Sequence, residues 1–193
     1  MPRIKSRPIR EVIWDLNRAV QLGPKIIGCT KMIETELAKK ISSMVAGCFE
    51  LLTAELLSHK VELREVAYDE PIRPPCVYWN GRLLEEIPAS APSGVADIEI
   101  YLDLKETWIV DVTLSSDSKT QMFEARRLMA HNPSSTASPN IKRVLVAPRI
   151  NVKHQHIIPI EMKSEIKKLS PERPKAISYW EKVETTIRAI IGN

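Results

Sequence analysis

The feature that most constrains the fold of this chain is the alternation of apolar and polar residues in two segments, 94–104 and 107–116. One face of the first segment carries the apolar residues Ala96, Ile98, Ile100 and Leu102. A period of two is typical of β-strands that bury one face. Because the stretch 103–106 between the segments is short, the two strands are predicted to form an antiparallel hairpin.

The opposite face of the predicted hairpin carries Asp97 and Glu99 on the first strand and Asp111 on the second. A register centred near Leu104 sets Asp97 and Asp111 opposite each other. Neighbouring carboxylates repel each other unless a positive charge lies between them. A divalent metal ion is the natural candidate for that charge, and the backbone carbonyl of Val112 would supply a further oxygen ligand.

Helical and strand patterns surround the hairpin. They predict helices at residues 9–21, 30–59, 118–131, 160–169 and 172–191, and further strands at 61–68 and 141–147. Gly23 and Pro24 are expected to end the first helix, and Thr30 is expected to cap the second. The proline-containing stretch 69–93 is expected to be a loop-rich connection. This order predicts a single α/β domain over residues 1–193, in which the first and last helices are additions to a core with a mixed sheet.

Length and composition limit the class of protein. The chain has 193 residues, of which 44% are hydrophobic and 27% are charged, and these values fit one globular domain with a proper core. Its net charge of +4 is compatible with a nucleic-acid partner. Three widely spaced cysteines match neither a disulfide framework nor a zinc site. We find no secretory segment and no apolar run near 18 residues, and therefore expect a cytoplasmic protein without a membrane partner.

The helix predicted after the hairpin carries further polar residues that can reach the two aspartates. Glu124 and His131 lie on one stripe of this helix. A helix that leaves the second strand packs back over the sheet, which would bring this stripe towards Asp111. The neighbouring Arg126 and Arg127 are expected to face elsewhere.

Glu50 is the fifth candidate, because it interrupts an apolar part of the long second helix. A carboxylate among apolar neighbours is costly to bury unless it is paired or bound to a metal. Each candidate also has a plain structural interpretation, as a solvated carboxylate, an ion-pair partner or a histidine at a helix C-terminus. Taken together, the five side chains favour metal-assisted phosphodiester hydrolysis, with Mg²⁺ as the metal and Mn²⁺ as its expected substitute.

These residues resemble the motif of the PD-(D/E)xK nuclease superfamily. Ala96-Asp97 stands where the motif has Pro-Asp, and residues 111–113, Asp-Val-Thr, stand where it has (D/E)xK. The segment around Glu50 looks like the first core helix of that superfamily with its acidic residue. The chain departs from the pattern at Thr113, which stands in place of the lysine.

A narrower resemblance is to the AlwI-like type IIS restriction endonucleases. Their cleavage domains carry a Glu-Val-Thr strand that is followed by a helix with Gln, Glu and His. Here Asp111 takes the place of the glutamate, and the helix supplies Gln121, Glu124 and His131. Some of these enzymes are split into a large recognising subunit and a small cleaving subunit, and this chain has about the size of the cleavage module alone.

The resemblance implies a restriction-endonuclease-like three-layer core, with a mixed central β-sheet flanked by helices. It implies that Asp97, Asp111 and Glu50 hold Mg²⁺, and that Glu124 and His131 position or activate water. The implied activity is hydrolysis of one strand of double-stranded DNA, with the site recognised by a larger partner subunit. Two alternatives stay open, namely a stand-alone repair or junction-resolving nuclease and a non-catalytic nucleic-acid-binding protein on a degenerate nuclease fold.

Overall fold

The computed structural model describes residues 4–5, 7–59, 62–65, 74–103, 105–134 and 140–192. The α-helices are α1 (Ile9–Cys29), α2 (Thr35–Leu57), α3 (Ser118–Ala130), α4 (Met162–Lys167) and α5 (Tyr179–Ile191). The β-strands are β1 (Glu62–Glu65), β2 (Cys76–Trp79), β3 (Arg82–Leu84), β4 (Ile87–Ala89), β5 (Ile98–Tyr101), β6 (Glu106–Val112), β7 (Asn140–Ala147) and β8 (Ile158–Glu161).

A mixed sheet of six strands forms the centre of the fold, in the order β1-β2-β5-β6-β7-β8. The pairs β2–β5 and β5–β6 are antiparallel, and the pairs β1–β2, β6–β7 and β7–β8 are parallel. Strands β3 and β4 form a separate antiparallel pair. The predicted hairpin is therefore confirmed as β5 and β6. Ile98 pairs with Val110, and continuing this register by one residue sets Asp97 opposite Asp111, as the sequence predicts.

Helices cover both faces of the sheet. On one face, the apolar side chains of β5, β6 and β7 pack against α1 and α2; this core includes Phe49, Leu52, Ile98, Val110 and Val146. On the other face, Ile109 and Leu145 pack against Ala125 and Leu128 of α3. Each buried aliphatic side chain contributes on the order of 2 kcal/mol through removal of its surface from water. The predicted fold class, an α/β core with a mixed central sheet between helices, is confirmed.

The boundaries predicted for the first two helices are wrong. Helix α1 continues through Pro24 to Cys29, because its apolar face packs on α2 and this packing outweighs the helix-breaking tendency of proline. Thr30 does not cap α2, which begins at Thr35 after Glu34. Thr30 lies in a 3₁₀ turn, where its hydroxyl donates to the carbonyl of Ile27 at the end of α1.

The connection predicted for residues 69–93 contains strands β2, β3 and β4 where the structure describes it. Strand β2 is fully buried between β1 and β5. It escaped the sequence analysis because four residues are too few to show a period and prolines stand close by. The predicted strand 61–68 is confirmed at β1, while Val61 and residues 66–68 lie outside the described residues, as does Leu104.

The predicted helix at 118–131 and strand at 141–147 are confirmed as α3 and β7. The two C-terminal helices begin later than predicted. Residues 158–161 form β8 at the edge of the sheet, so that α4 begins at Met162. Helix α5 begins at Tyr179, because Ser178 and Glu181 form a reciprocal capping box at that point.

Candidate active site

An open cavity of about 620 Å³ lies between α2, the end of α1, α3, the start of β5 and the end of β6. We call this cavity the acidic pocket; its lining includes Lys31, Glu50, Asp97, Val112, Thr113, Glu124 and Arg127. Four of the residues predicted for the site therefore face one cavity. The other two, Asp111 and His131, are buried next to it and do not belong to its lining.

Asp97 lies immediately before β5, at the point where the hairpin brings it beside the end of β6. Its Oδ2 accepts a hydrogen bond from the amide of Val112 at 2.7 Å. Its own amide points at Oδ1 of Asp111, 3.4 Å away. Burial raises the pKa of Asp97 well above its usual range, and the negative charges of Glu50 and Asp111 raise it further.

Asp111 lies on β6 with a side chain only 1% exposed. Its Oδ1 lies 3.4 Å from Nδ1 of His131, and its Oδ2 lies 3.5 Å from Nη2 of Arg127. Burial raises the pKa of Asp111, while the facing His131 and Arg127 lower it. The prediction that α3 packs back over the sheet and brings His131 to Asp111 is confirmed.

Glu50 reaches the pocket from α2, where Gly47 allows the neighbouring chain to approach closely. A Cβ on Gly47 would lie 2.3 Å from the carbonyl carbon of Ala89. The amide of Ala91, two residues further on, donates to Oε2 of Glu50 at 2.9 Å. Burial raises the pKa of Glu50 to about 7, and the negative charge of Asp111 adds to the shift. The carboxylate is thus held in place although its charged form is disfavoured.

The start of α3 is fixed by two buried or capping polar residues. Asp117 caps the helix by accepting from the amide of Thr120 at 2.8 Å. The amide of the fully buried Gln121 donates to the carbonyls of Ser115 and Arg149, at 2.9 and 2.6 Å. Gln121 therefore ties α3 to the end of the hairpin and to the chain after β7, which sets the position of the residues that follow on the helix.

Arg127 is the site residue that the sequence analysis placed wrongly. Its Nη2 lies 2.9 Å from Oε2 of Glu124 and 3.5 Å from Oδ2 of Asp111. The signal was present in the sequence, because residue 127 follows Glu124 by three positions and precedes His131 by four, both helical neighbours. Arg126, by contrast, is exposed on the outer side of α3, as predicted.

Glu124 and His131 differ in what they can reach. Glu124 lines the acidic pocket, and burial raises its pKa. His131 is 5% exposed, and neither ring nitrogen has a hydrogen-bond partner among the described residues. Since the imidazole lies next to Asp111 and outside the lining of the pocket, it is placed to orient that carboxylate. The role expected for both residues, to position or activate water, stays a prediction.

The pocket offers carboxylate oxygens, which are the kind of ligand that Mg²⁺ prefers. Within the described ranges, no group of three or more His, Cys, Asp or Glu side chains has the spacing of a complete metal site. Mg²⁺ needs less than this, because it usually takes one or two carboxylates and keeps several waters. Glu50 and Asp97 are two such carboxylates facing the cavity, and their charged forms are disfavoured until a cation approaches. The backbone of Val112 lies beside Asp97.

Fold and site together define a mixed α/β protein with a pocket lined by buried carboxylates. No protein family matches the sequence, and no curated protein matches it. Among solved structures, the chain is similar to the small subunit (R.BspD6I2) of the heterodimeric restriction endonuclease R.BspD6I, with 14% sequence identity over 87% of this chain and 88% of that chain and a TM-score of 0.46. A likeness of this size carries no argument about function.

Cys29, Cys48 and Cys76 are free, and Cys48 is buried in the core as a small apolar residue. In the part of the chain that the structure describes, no helix combines the length and the apolar character that crossing a membrane requires.

Proposed function

We propose that this protein is a metal-dependent DNA endonuclease subunit that hydrolyses a phosphodiester bond in one strand of double-stranded DNA. The observation that carries the proposal is a group of three buried carboxylates, of which Glu50 and Asp97 line one open pocket and Asp111 lies next to it. Burying carboxylates costs free energy and their mutual repulsion adds to that cost, which favours a site kept for a cation. This is the arrangement that metal-assisted phosphodiester hydrolysis needs.

The residues in and beside the pocket would have different roles in the reaction. Glu50 and Asp97 would hold Mg²⁺ or Mn²⁺ on the cavity side, together with the carbonyl of Val112, and Asp111 would support them from behind. When bound, the ion lowers the pKa of a water ligand and neutralises charge on the phosphate oxygens. Glu124 faces the cavity and is the candidate base that would activate a water beside the substrate.

A direct test combines metal binding with DNA nicking. The purified chain in molar excess over supercoiled plasmid is expected to convert it to the nicked circle with Mg²⁺ or Mn²⁺, and to leave it intact in EDTA. Asp97→Asn is expected to weaken Mn²⁺ binding in calorimetry and to lower the nicking rate at least about 100-fold. The matched control is Asp103→Asn, the same chemical change in the exposed hairpin loop. A wild-type chain that binds no divalent metal and nicks no faster than the Asp97→Asn variant overturns the proposal.

We further propose that a larger partner subunit recognises the DNA site. This part depends on the resemblance to split type IIS enzymes and on the size of the chain, about that of a cleavage module. The isolated chain is then expected to nick slowly and without sequence preference. Robust sequence-specific double-strand cleavage by the chain alone would contradict the partner, and structure-selective cutting would favour the repair or junction-resolving alternative.

One observation favours a second candidate, a non-catalytic nucleic-acid-binding protein. Thr113 occupies the motif position of the lysine, and its Oγ1 accepts from the amide of Ser115 at 3.2 Å, so that it is engaged in the local turn. The nicking assay decides between the two candidates, since a binding protein would hold DNA equally well with Asp97→Asn and would cut with neither chain.

A further inference from the structure

The acidic pocket has a fixed positive charge that the sequence motif does not supply. A pocket that presents Glu50, Asp97 and Glu124 repels a phosphodiester unless cations offset them. The motif lysine is missing, and Thr113 carries no charge. Two basic residues line the cavity, Lys31 and Arg127. Lys31 is exposed, whereas Arg127 lies among the carboxylates.

The guanidinium of Arg127 is held firmly but uses few of its donors. Its Nη2 lies at ion-pair distance from Glu124 and Asp111, and these two contacts hold that end of the group beside the carboxylates. Neither Nε nor Nη1 donates to any of the described residues, and Nε is enclosed without an acceptor. The side chain is 34% exposed, on the cavity side. Arginine presents its donors in a planar fork, and since Nε is enclosed, the accessible part of that fork is Nη1 with its unused N–H groups. A guanidinium nitrogen with unused donors at a pocket is suited to a phosphate oxygen.

We infer that Arg127 binds a non-bridging oxygen of the DNA phosphodiester in the acidic pocket and supplies there the positive charge that Thr113 lacks. The inference deepens the proposed function and depends on it. Glu124 and Asp111 are then positioning residues for the guanidinium as well as parts of the acidic group. Because the donors are in place before the substrate arrives, they can stabilise charge that develops on the phosphate oxygens without reorganisation.

The experiment compares neighbouring arginines. Arg127→Ala and Arg126→Ala remove the same charge one residue apart on α3, but Arg126 is exposed on the outer side of the helix. Single-turnover nicking with Mn²⁺ is expected to be about 100- to 1000-fold slower for Arg127→Ala. The Arg126→Ala rate is expected to stay within about threefold of wild type. Added ethylguanidinium is expected to restore part of the Arg127→Ala rate, an effect that loss of a merely structural ion pair would not show.

Two further variants protect the test against misfolding. Arg127→Lys keeps the charge but loses the fork, and is expected to fold and to remain at least 10-fold slow. Glu124→Gln/Arg127→Gln removes the charge of both members of the ion pair. Equal rates for Arg127→Ala and Arg126→Ala overturn the inference, and so does full activity of the double variant.

Binding of a short labelled duplex in Ca²⁺ separates this inference from the proposed function. Fluorescence anisotropy is expected to show at least fivefold weaker binding for Arg127→Ala, and binding within twofold of wild type for Arg126→Ala. If the wild-type chain does not nick DNA at all, the proposed function fails, and this comparison still decides whether Arg127 contacts phosphate. Equal affinities of the two variants refute the contact.

Discussion

Nδ1 of His131 lies 3.4 Å from Oδ1 of Asp111, and both side chains are buried almost completely beside the acidic pocket. The contact joins the C-terminal end of α3 to the middle of the sheet. Since the imidazole does not line the cavity, it acts on the site through the carboxylate that it touches. His131 is in this respect comparable to the residues that orient metal ligands from behind.

His131→Asn is therefore expected to lower the nicking rate by about 10- to 100-fold, the usual effect of losing an orienting partner. Affinity for a short duplex in Ca²⁺ is expected to stay within twofold of wild type, because no DNA contact is removed. The control is His154→Asn, which changes the same residue type in the segment after β7, away from the pocket. Equal rates for the two variants would show that the contact with Asp111 has no part in catalysis.

Arg7 forms ion pairs with two buried carboxylates, one on α1 and one on α2. Its Nη1 lies 2.8 Å from Oδ2 of Asp15, and its Nη2 lies 2.7 Å from Oε2 of Glu55. Arg7→Met leaves both carboxylates buried without a counter-charge, and we expect a loss of about 3–5 kcal/mol in the free energy of unfolding. Arg10→Met, at an exposed position of α1, is expected to change it by less than about 0.5 kcal/mol. Urea unfolding of the two variants measures the difference, and equal midpoints would contradict the role of Arg7.

Gly47→Ala tests the close approach that positions Glu50. An added Cβ would lie 2.3 Å from the carbonyl carbon of Ala89, and backbone atoms cannot move aside as the end of a side chain can. We expect a loss of about 1–3 kcal/mol in thermal or urea unfolding, since overpacking forces the backbone to shift. Gly28→Ala is the matched control, because no heavy atom lies within 4 Å of its Cβ position, and it is expected to stabilise α1 by about 0.5 kcal/mol. Equal effects of the two substitutions would show that the contact is relaxed in solution.

The hairpin and its acidic pair could be predicted because local pattern decides both. A period of two fixes which residues share a face, and a short connection fixes the register that sets Asp97 opposite Asp111. The helical spacing of Glu124 and His131 likewise predicts that they share one side of α3. Arg127 belongs to the same stripe, but the apolar residues of the helix, taken alone, predict that it lies on another side.

What could not be predicted depends on contacts between distant parts of the chain. Helix α1 passes through Pro24 because α2 packs against it, and no local signal reports that packing. Strand β2 is four residues long and is held by β1 and β5 on either side. The bond from Ala91 to Glu50 requires the chain after β4 to meet α2, which brings together residues 41 positions apart.

The raised pKa of Glu50 makes the stability of the metal-free protein depend on pH. The pKa is about 7 in the folded chain, against an ordinary value of 4.5, so between these values the folded state binds the additional proton. The contribution of Glu50 to the free energy of unfolding is therefore fully present below about pH 4.5 and is lost as the pH rises through 7. A shift of this size corresponds to a loss of about 3 kcal/mol for the metal-free protein. Asp97 and Asp111, whose pKa values are also raised, change stability in the same direction.

Glu50→Gln keeps the shape of the side chain and removes its titration, so we expect unfolding in EDTA to depend less steeply on pH for this variant between pH 4.5 and 7.5. The wild-type chain should lose stability over that range, and the difference between the two curves should approach about 3 kcal/mol at the upper end. Glu36→Gln, on the exposed first turn of α2, is the control and should follow the wild-type curve. Parallel curves of stability against pH for wild type and Glu50→Gln would mean that Glu50 is ionised at neutral pH without a metal. The physical reason for expecting this carboxylate to ionise only when a cation binds would then be removed.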